Sequence, residues 1–122
     1  DFVLYDKDYM KKYYLSEKVK KYVLASGTKN FYSKPEIDLK VARPLVSTMH
    51  KMHRSGVDNY ITVNKKVIRK LTPRECLRLQ GFPDSFKQVV SDTQIYRQAG
   101  NSIVVDVITA ILKEMDISLY AR

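Results

Sequence analysis

Arg69-Lys-Leu-Thr-Pro-Arg-Glu-Cys-Leu-Arg-Leu-Gln-Gly-Phe-Pro83 is the stretch of this 122-residue chain that specifies its own conformation most fully. Thr72 stands three residues before Glu75, the spacing of a capping box. The threonine hydroxyl accepts from the Glu75 N–H, and the glutamate reaches back to the N–H of Thr72. Pro73 suits the first helical position, where its missing N–H is no loss. Cys76, Leu77 and Leu79 are apolar anchors, and Gly81 is placed to end the helix in a left-handed conformation. Phe82-Pro83 then bars continuation. The pattern predicts a two-turn helix over 73–80, with Arg74 and Arg78 as an i, i+4 pair on one face. A cysteine within such a helix is expected to be a small buried apolar residue.

Fifteen residues on comes Gln98-Ala-Gly-Asn-Ser-Ile-Val-Val-Asp-Val107. Ile103, Val104, Val107, Ile108, Ile111, Leu112 and Met115 share one helical stripe, with Asp106, Thr109, Lys113 and Glu114 opposite. The β-branched run favours strand, but alternation would leave Val104, Ile108 and Leu112 out of phase, so the helical period wins. Asn101 or Ser102 is expected to supply the N-cap. Gly100, just before it, lets backbone or ligand approach closely. So long a stripe is hard to bury in a small domain, which predicts an exposed patch over 103–115 or self-association through it.

Lys plus Arg number 22 against 13 Asp plus Glu, a net charge of +9. The excess is uneven. Residues 1–72 hold sixteen basic and seven acidic side chains, whereas residues 73–122 hold six of each. Such asymmetry points to a polyanion partner or to a solvated lysine-rich surface. Within the basic part, residues 41–60 form the expected recognition segment, a strand and loop whose polar tips suit phosphates and base edges. The candidates for DNA are Arg43, Ser47, Thr48, His50, Lys51, His53 and Arg54. His50 and His53 have no third ligand of the right kind nearby, so no metal is expected.

The remaining segments are less specific. Asp8 to Leu15 is a helical candidate, and Ser16 caps a second helix through Ser26. Gly27 to Pro35 reads as a loop. Tyr60-Ile-Thr-Val-Asn-Lys-Lys-Val-Ile-Arg-Lys-Leu71 reads as a hairpin turning at Asn64-Lys65, with Ile61 and Val63 answering Val67 or Ile68. A single cysteine excludes a disulfide framework and is compatible with a reducing cytoplasm. No run is long enough for a membrane span. The chain opens at Asp1 without an initiating methionine, as expected of a piece of a longer protein.

Residues 69–83 and 98–107 together closely resemble the last two sequence motifs of bacterial cytosine-C5 DNA methyltransferases. The resemblance is closest over 69–108, looser over 41–68 and faint before that. It implies that the first motif organises a target-recognition domain. Gly100, Asn101 and Ser102 would line an S-adenosylmethionine pocket, and the C-terminal helix would pack on a catalytic domain. In the family, many members have threonine where Pro44 stands, and Ser47 or Thr48 could substitute for its hydroxyl. The intact enzyme flips cytosine from the duplex, adds a cysteine thiolate to C6 and methylates C5. That thiolate sits in a Pro-Cys dipeptide, whereas Cys76 follows Glu75. No Pro-Cys-Gln, Glu-Asn-Val or Phe-x-Gly-x-Gly loop occurs in the 122 residues, so no catalytic residue is expected here.

The expectation is an α+β chain, a small antiparallel sheet with flanking helices. It divides into a helical lead-in (1–40), a strand, loop and hairpin segment for DNA (41–72), a capped helix and loop (73–98) and a returning helix (99–122). The resemblance implies the DNA-recognition and cofactor-pocket-completing portion of a cytoplasmic methyltransferase of a restriction–modification system. Its partners would be double-stranded DNA and a catalytic domain or subunit. Two alternatives remain, a natural small subunit of a split methyltransferase and a stand-alone DNA-binding or regulatory module.

Overall fold

The computed structural model describes residues 3–4, 8–25, 27–28, 31–32, 35–51, 56–64 and 67–115. A 3-10 helix over Asp8–Tyr13 leads into α1 (Glu17–Val23), with the Ser16 hydroxyl accepting from the Val19 N–H. Helix α1 ends before the expected Ser26. Gly27–Thr28 (β1) pairs antiparallel with Phe31–Tyr32 (β2), so the expected loop holds a two-residue ladder. The hairpin follows as β3 (Tyr60–Asn64) and β4 (Val67–Lys70). Then come α2 (Pro73–Leu79), α3 (Asp92–Asn101) and α4 (Val105–Glu114). This is the expected α+β architecture. No strand lies within the described residues of 41–59.

The β3–β4 hairpin organises the rest. Its register pairs Tyr60 with Lys70, Ile61 with Arg69 and Thr62 with Ile68, then slips so that Asn64 meets Val67. The irregularity at Val63 therefore displaces it from the pairing that simple alternation suggested. Tyr60 and Ile68 turn to one side, where they bury against Val23 with Leu15, Val19 and Ile37 around them. Ile61 turns to the other, against a cluster of Met10, Tyr13, Leu71, Cys76, Tyr96 and Ala99.

A two-stranded hairpin is marginal alone, and here both edges are covered. Leu15 N–H donates to the Ile68 carbonyl, beside a bridge between Tyr14 and Arg69. On the other edge, Asp38 N–H donates to the Tyr60 carbonyl and the Asp38 carboxylate accepts from the Thr62 N–H at 2.7 Å.

Helix α2 matches its sequence signals closely. The capping box is complete, with Glu75 N–H to Thr72 Oγ1 at 3.2 Å and Thr72 N–H to Glu75 Oε1 at 2.8 Å. Gly81 adopts φ 85°, and the N–H groups of Phe82 and Gly81 return to the carbonyls of Leu77 and Arg78. That pairing is a Schellman motif. Arg78 forks onto Asp84, with Nε to Oδ1 at 2.9 Å and Nη2 to Oδ2 at 2.6 Å.

Candidate nucleic-acid interface

Helix α3 is the platform, and the sequence reading missed it. Its signals are sparse: Ser91 accepts from the Gln94 N–H, Asp92 sits in the first turn, and only Ile95, Tyr96 and Ala99 are buried. The Tyr96 hydroxyl donates to the Leu71 carbonyl at 2.6 Å, pegging α3 to the junction of β4 and α2. Burial pushes that phenol well above its ordinary pKa, so it stays a donor at any working pH. Tyr13 donates to Asp92 at 2.7 Å and ties the N-terminal turn to the start of α3. Burial, with that bond, raises the Tyr13 phenol to about 12.

Leu45 and Met49 pack against the cluster to which this platform contributes Tyr96 and Ala99. Between and beyond them the chain makes consecutive turns, Met49 N–H to the Val46 carbonyl at 3.2 Å and Lys51 N–H to the Thr48 carbonyl at 3.0 Å. His50 Nδ1 lies 3.0 Å from the Ser47 carbonyl. An N–H at Nδ1 donates there, and a neutral ring then presents Nε2 as an acceptor. Ser47, Thr48, His50 and Lys51 are thus brought together on one turn. Thr48 and Lys51 are exposed, and Ser47 and His50 are half-buried.

Arg43 stands apart from this group. Its Nη2 meets Glu36 Oε2 at 2.7 Å, and its side chain is only 19% exposed. Asn59 fixes its backbone from both directions, accepting from the Arg43 N–H at 2.8 Å and donating to its carbonyl at 3.1 Å. Arg43, one of the expected DNA residues, is thus ion-paired and ties residue 36 to the entry of the recognition segment. His53 and Arg54 lie outside the described residues, as does part of the expected hairpin turn at Lys65. Elsewhere, the largely exposed Lys11 and Asp8 pair, and the exposed Lys12 pairs with the half-buried Asp92. Such pairs leave the cations available to a stronger anion.

The corner between α3 and α4 differs from expectation. Asn101 is the last residue of α3, and Ser102 is its C-cap. Helix α4 is capped by Val104 with no side-chain hydrogen bond. The physical reason is Gln80. Its buried amide donates to the carbonyls of Ala99 and Ser102, and its own carbonyl accepts from the Val105 N–H at 2.8 Å. Those backbone groups are thereby drawn out of a continuous helix. Gly100 does permit a close approach, and what approaches is backbone at Val46 and Ser47. Asn101 is exposed and Ser102 half-buried, the serine hydroxyl donating to the Ile103 carbonyl at 3.0 Å. Helix α4 buries no residue, and Ile103, Val107, Ile108, Ile111, Leu112 and Met115 are all more than a third exposed.

Beneath the platform is a buried ion pair that sequence reading also missed. Arg69 Nη1 and Nη2 meet Glu75 Oε1 and Oε2 at 2.7 and 3.0 Å. Glu75 Oε2 also accepts from the Leu4 N–H at 3.0 Å. Burial alone would raise the Glu75 pKa, but the Arg69 fork and the N–H groups of Thr72 and Leu4 hold it below the ordinary carboxylate range.

Cys76, also fully buried, has the opposite electrostatics. Burial, with the Glu75 charge beside it, pushes its thiol far up. A thiol that does not ionise is neither nucleophile nor reactive handle. The native chain at pH 8 is therefore expected to react with an aromatic disulfide reagent only on unfolding, and rapid stoichiometric labelling of folded protein would contradict this placement. Among the described residues, no three His, Cys, Asp or Glu side chains group to hold a metal. None of the described helices is long and apolar enough to cross a membrane.

The C-5 cytosine-specific DNA methylase family matches residues 3–116, and the chain belongs to that family. It is similar to Type II methyltransferase M.NlaX of Neisseria lactamica, 49% identical over 71 residues, 58% of this chain and 23% of that protein. Type II methyltransferase M.BanI of Aneurinibacillus aneurinilyticus is 34% identical over 109 residues, 89% of this chain and 24% of that one. The chain thus spans under a quarter of the length of these relatives. Its fold is similar to the crystal structure of S. pombe Dnmt2 methyltransferase, with TM-score 0.69 and 20% identity, over 99% of this chain and 42% of that chain. The Entamoeba histolytica methyltransferase EhMeth gives TM-score 0.69 and 20% identity over 97% and 40%.

Proposed function

We propose that this chain is the DNA-recognition and cofactor-pocket-completing portion of a DNA (cytosine-5-)-methyltransferase that uses S-adenosylmethionine, in a restriction–modification system. The observation that carries the reading is the turn at 47–51. Its polar tips are gathered on a hydrogen-bonded turn anchored by Leu45 and Met49, in the part of the chain that holds all the net positive charge. Ser47 and Thr48 offer hydroxyls, His50 an imidazole and Lys51 an ammonium, a set suited to phosphates and base edges. His53 and Arg54 extend it along the sequence. Arg43 acts behind this surface, by holding the segment in place.

Asn101 and Ser102 suit the rim of a cofactor pocket. The exposed amide of Asn101 offers both donor and acceptor, and the Ser102 hydroxyl keeps its lone pairs as acceptors while donating to Ile103. The bound cofactor supplies the methyl group, and these residues orient it. The uncovered face of α4 fits a helix that packs on a catalytic domain or subunit.

The thiolate that attacks cytosine must come from outside these 122 residues, because their one cysteine is buried and held protonated. The purified chain, given tritiated S-adenosylmethionine and duplex DNA, is therefore expected to transfer no label above a protein-free control. Incorporation by this chain alone would contradict the division of labour.

A further inference from the structure

We infer that Gly100 is a positioning residue for the DNA-facing turn: its missing side chain sets the height at which Ser47, Thr48, His50 and Lys51 stand above α3. The inference rests on the reading of 47–51 as a DNA surface. Gly100 lies in the last turn of α3, and its φ is outside the left-handed region, in contrast to Gly81. Conformational freedom is thus no reason for glycine here, and an alanine would favour the helix. What requires glycine is clearance. A Cβ at position 100 would land on the carbonyl carbon and oxygen of Val46 and the amide nitrogen of Ser47. These are backbone atoms, which cannot rotate aside as a side chain can.

The displaced atoms are also the base of the turn. The Val46 carbonyl accepts from the Met49 N–H, and the Ser47 carbonyl lies 3.0 Å from His50 Nδ1. Leu45 and Met49, on either side of the contact, are anchored in the cluster around Tyr96 and Ala99. The turn is therefore internally bonded and pinned at two points, with Gly100 between them. Lifting Val46–Ser47 off the helix must tilt all four polar tips together.

The test is Gly100→Ala in the full 122-residue chain, with Lys51→Ala as the reference for DNA contact and Gln98→Gly as the reference for helix weakening at an exposed site. Gly100→Ala is expected to shift the backbone amide resonances of residues 46–51 and to weaken duplex DNA binding about tenfold, the scale of one lost good contact. Gln98→Gly should lower the melting temperature but leave DNA affinity at the wild-type value. If Gly100→Ala keeps wild-type amide positions, or wild-type affinity while Lys51→Ala weakens binding, the inference is overturned and the DNA surface stands. If neither variant changes affinity, the DNA surface is wrong and the inference falls with it. Should Gly100→Ala fail to fold, a duplex titration of the labelled wild-type chain decides. Gly100 signals that move together with those of 47–51 support the inference, and unmoved Gly100 signals overturn it.

Discussion

Replacing Arg69 by methionine is expected to cost the chain about 3–5 kcal/mol, the scale for breaking a buried ion pair from one side. Natural domains of this size hold only about 5–15 kcal/mol in total, so this one substitution should remove a large share of the chain's stability. The reason is specific. Glu75 is fully buried, and its carboxylate also serves the N–H groups of Thr72 and Leu4. Removing the guanidinium leaves a charge with nothing to balance it.

Replacing both partners, Arg69→Met with Glu75→Leu, should recover part of the loss but not all. The buried Thr72 N–H would then be orphaned, at roughly 1–3 kcal/mol, and the part-buried Leu4 N–H would lose its partner too. The pH dependence follows from the lowered Glu75 pKa. Its contribution is present above the unfolded carboxylate value and is lost as pH falls through the folded one. In Arg69→Met, burial dominates and Glu75 folds best protonated, so the gap between variant and wild type should narrow on acidification. Urea denaturation at pH 7 and pH 4 measures both effects. An Arg69→Met loss below about 1 kcal/mol would mean that the pair is not buried as described.

The second large effect belongs to α4. Its exposed apolar side chains lie on the face that periodicity predicted, and nothing in the described chain covers them. At ~25 cal/mol per Å², hiding even a few hundred Å² is worth several kcal/mol before association costs. The wild-type chain is expected to self-associate in sedimentation at high concentration, and Ile108→Glu with Leu112→Glu should give a monomer of unchanged helix content. The same pair should abolish assembly with a catalytic partner. A wild-type chain that stays monomeric, with α4 protected from hydrogen exchange, would show the helix packed on its own domain.

What was legible in the sequence was local. Thr72, Glu75 and Gly81 act within a few residues of themselves, so the limits of α2 could be read from spacing alone. The hairpin at 60–70 was equally plain, though the irregularity at Val63 was not. The exposed face of α4 followed from period and from the size of the chain. Helix α3 escaped because its surface is polar and its apolar anchors are three, with Ser91 as the one clear start signal. The break at 102–104 depends on Gln80, some twenty residues away, whose amide takes the carbonyls of Ala99 and Ser102. No local rule supplies that partner. Arg69 and Arg43 read as part of the basic surplus, yet each is matched by a glutamate, Arg69 in the interior and Arg43 half-covered. Of the candidate DNA residues, Ser47, Thr48, His50 and Lys51 converge because turns gather neighbours. Arg43 does not, since Glu36 and Asn59 hold it.

The central claim, that residues 47–54 lie against DNA phosphates and bases, is tested most directly by fluorescence anisotropy of a labelled duplex across a salt titration. Wild-type chain should bind weakly, with an affinity that falls steeply as salt rises, because phosphate contacts release counterions. Lys51→Ala with Arg54→Ala should weaken binding and reduce the slope of log affinity against log salt by about two, roughly one per lost contact. A double variant with wild-type affinity and wild-type slope would contradict the account and move the DNA surface elsewhere, to the lysines of 11–21.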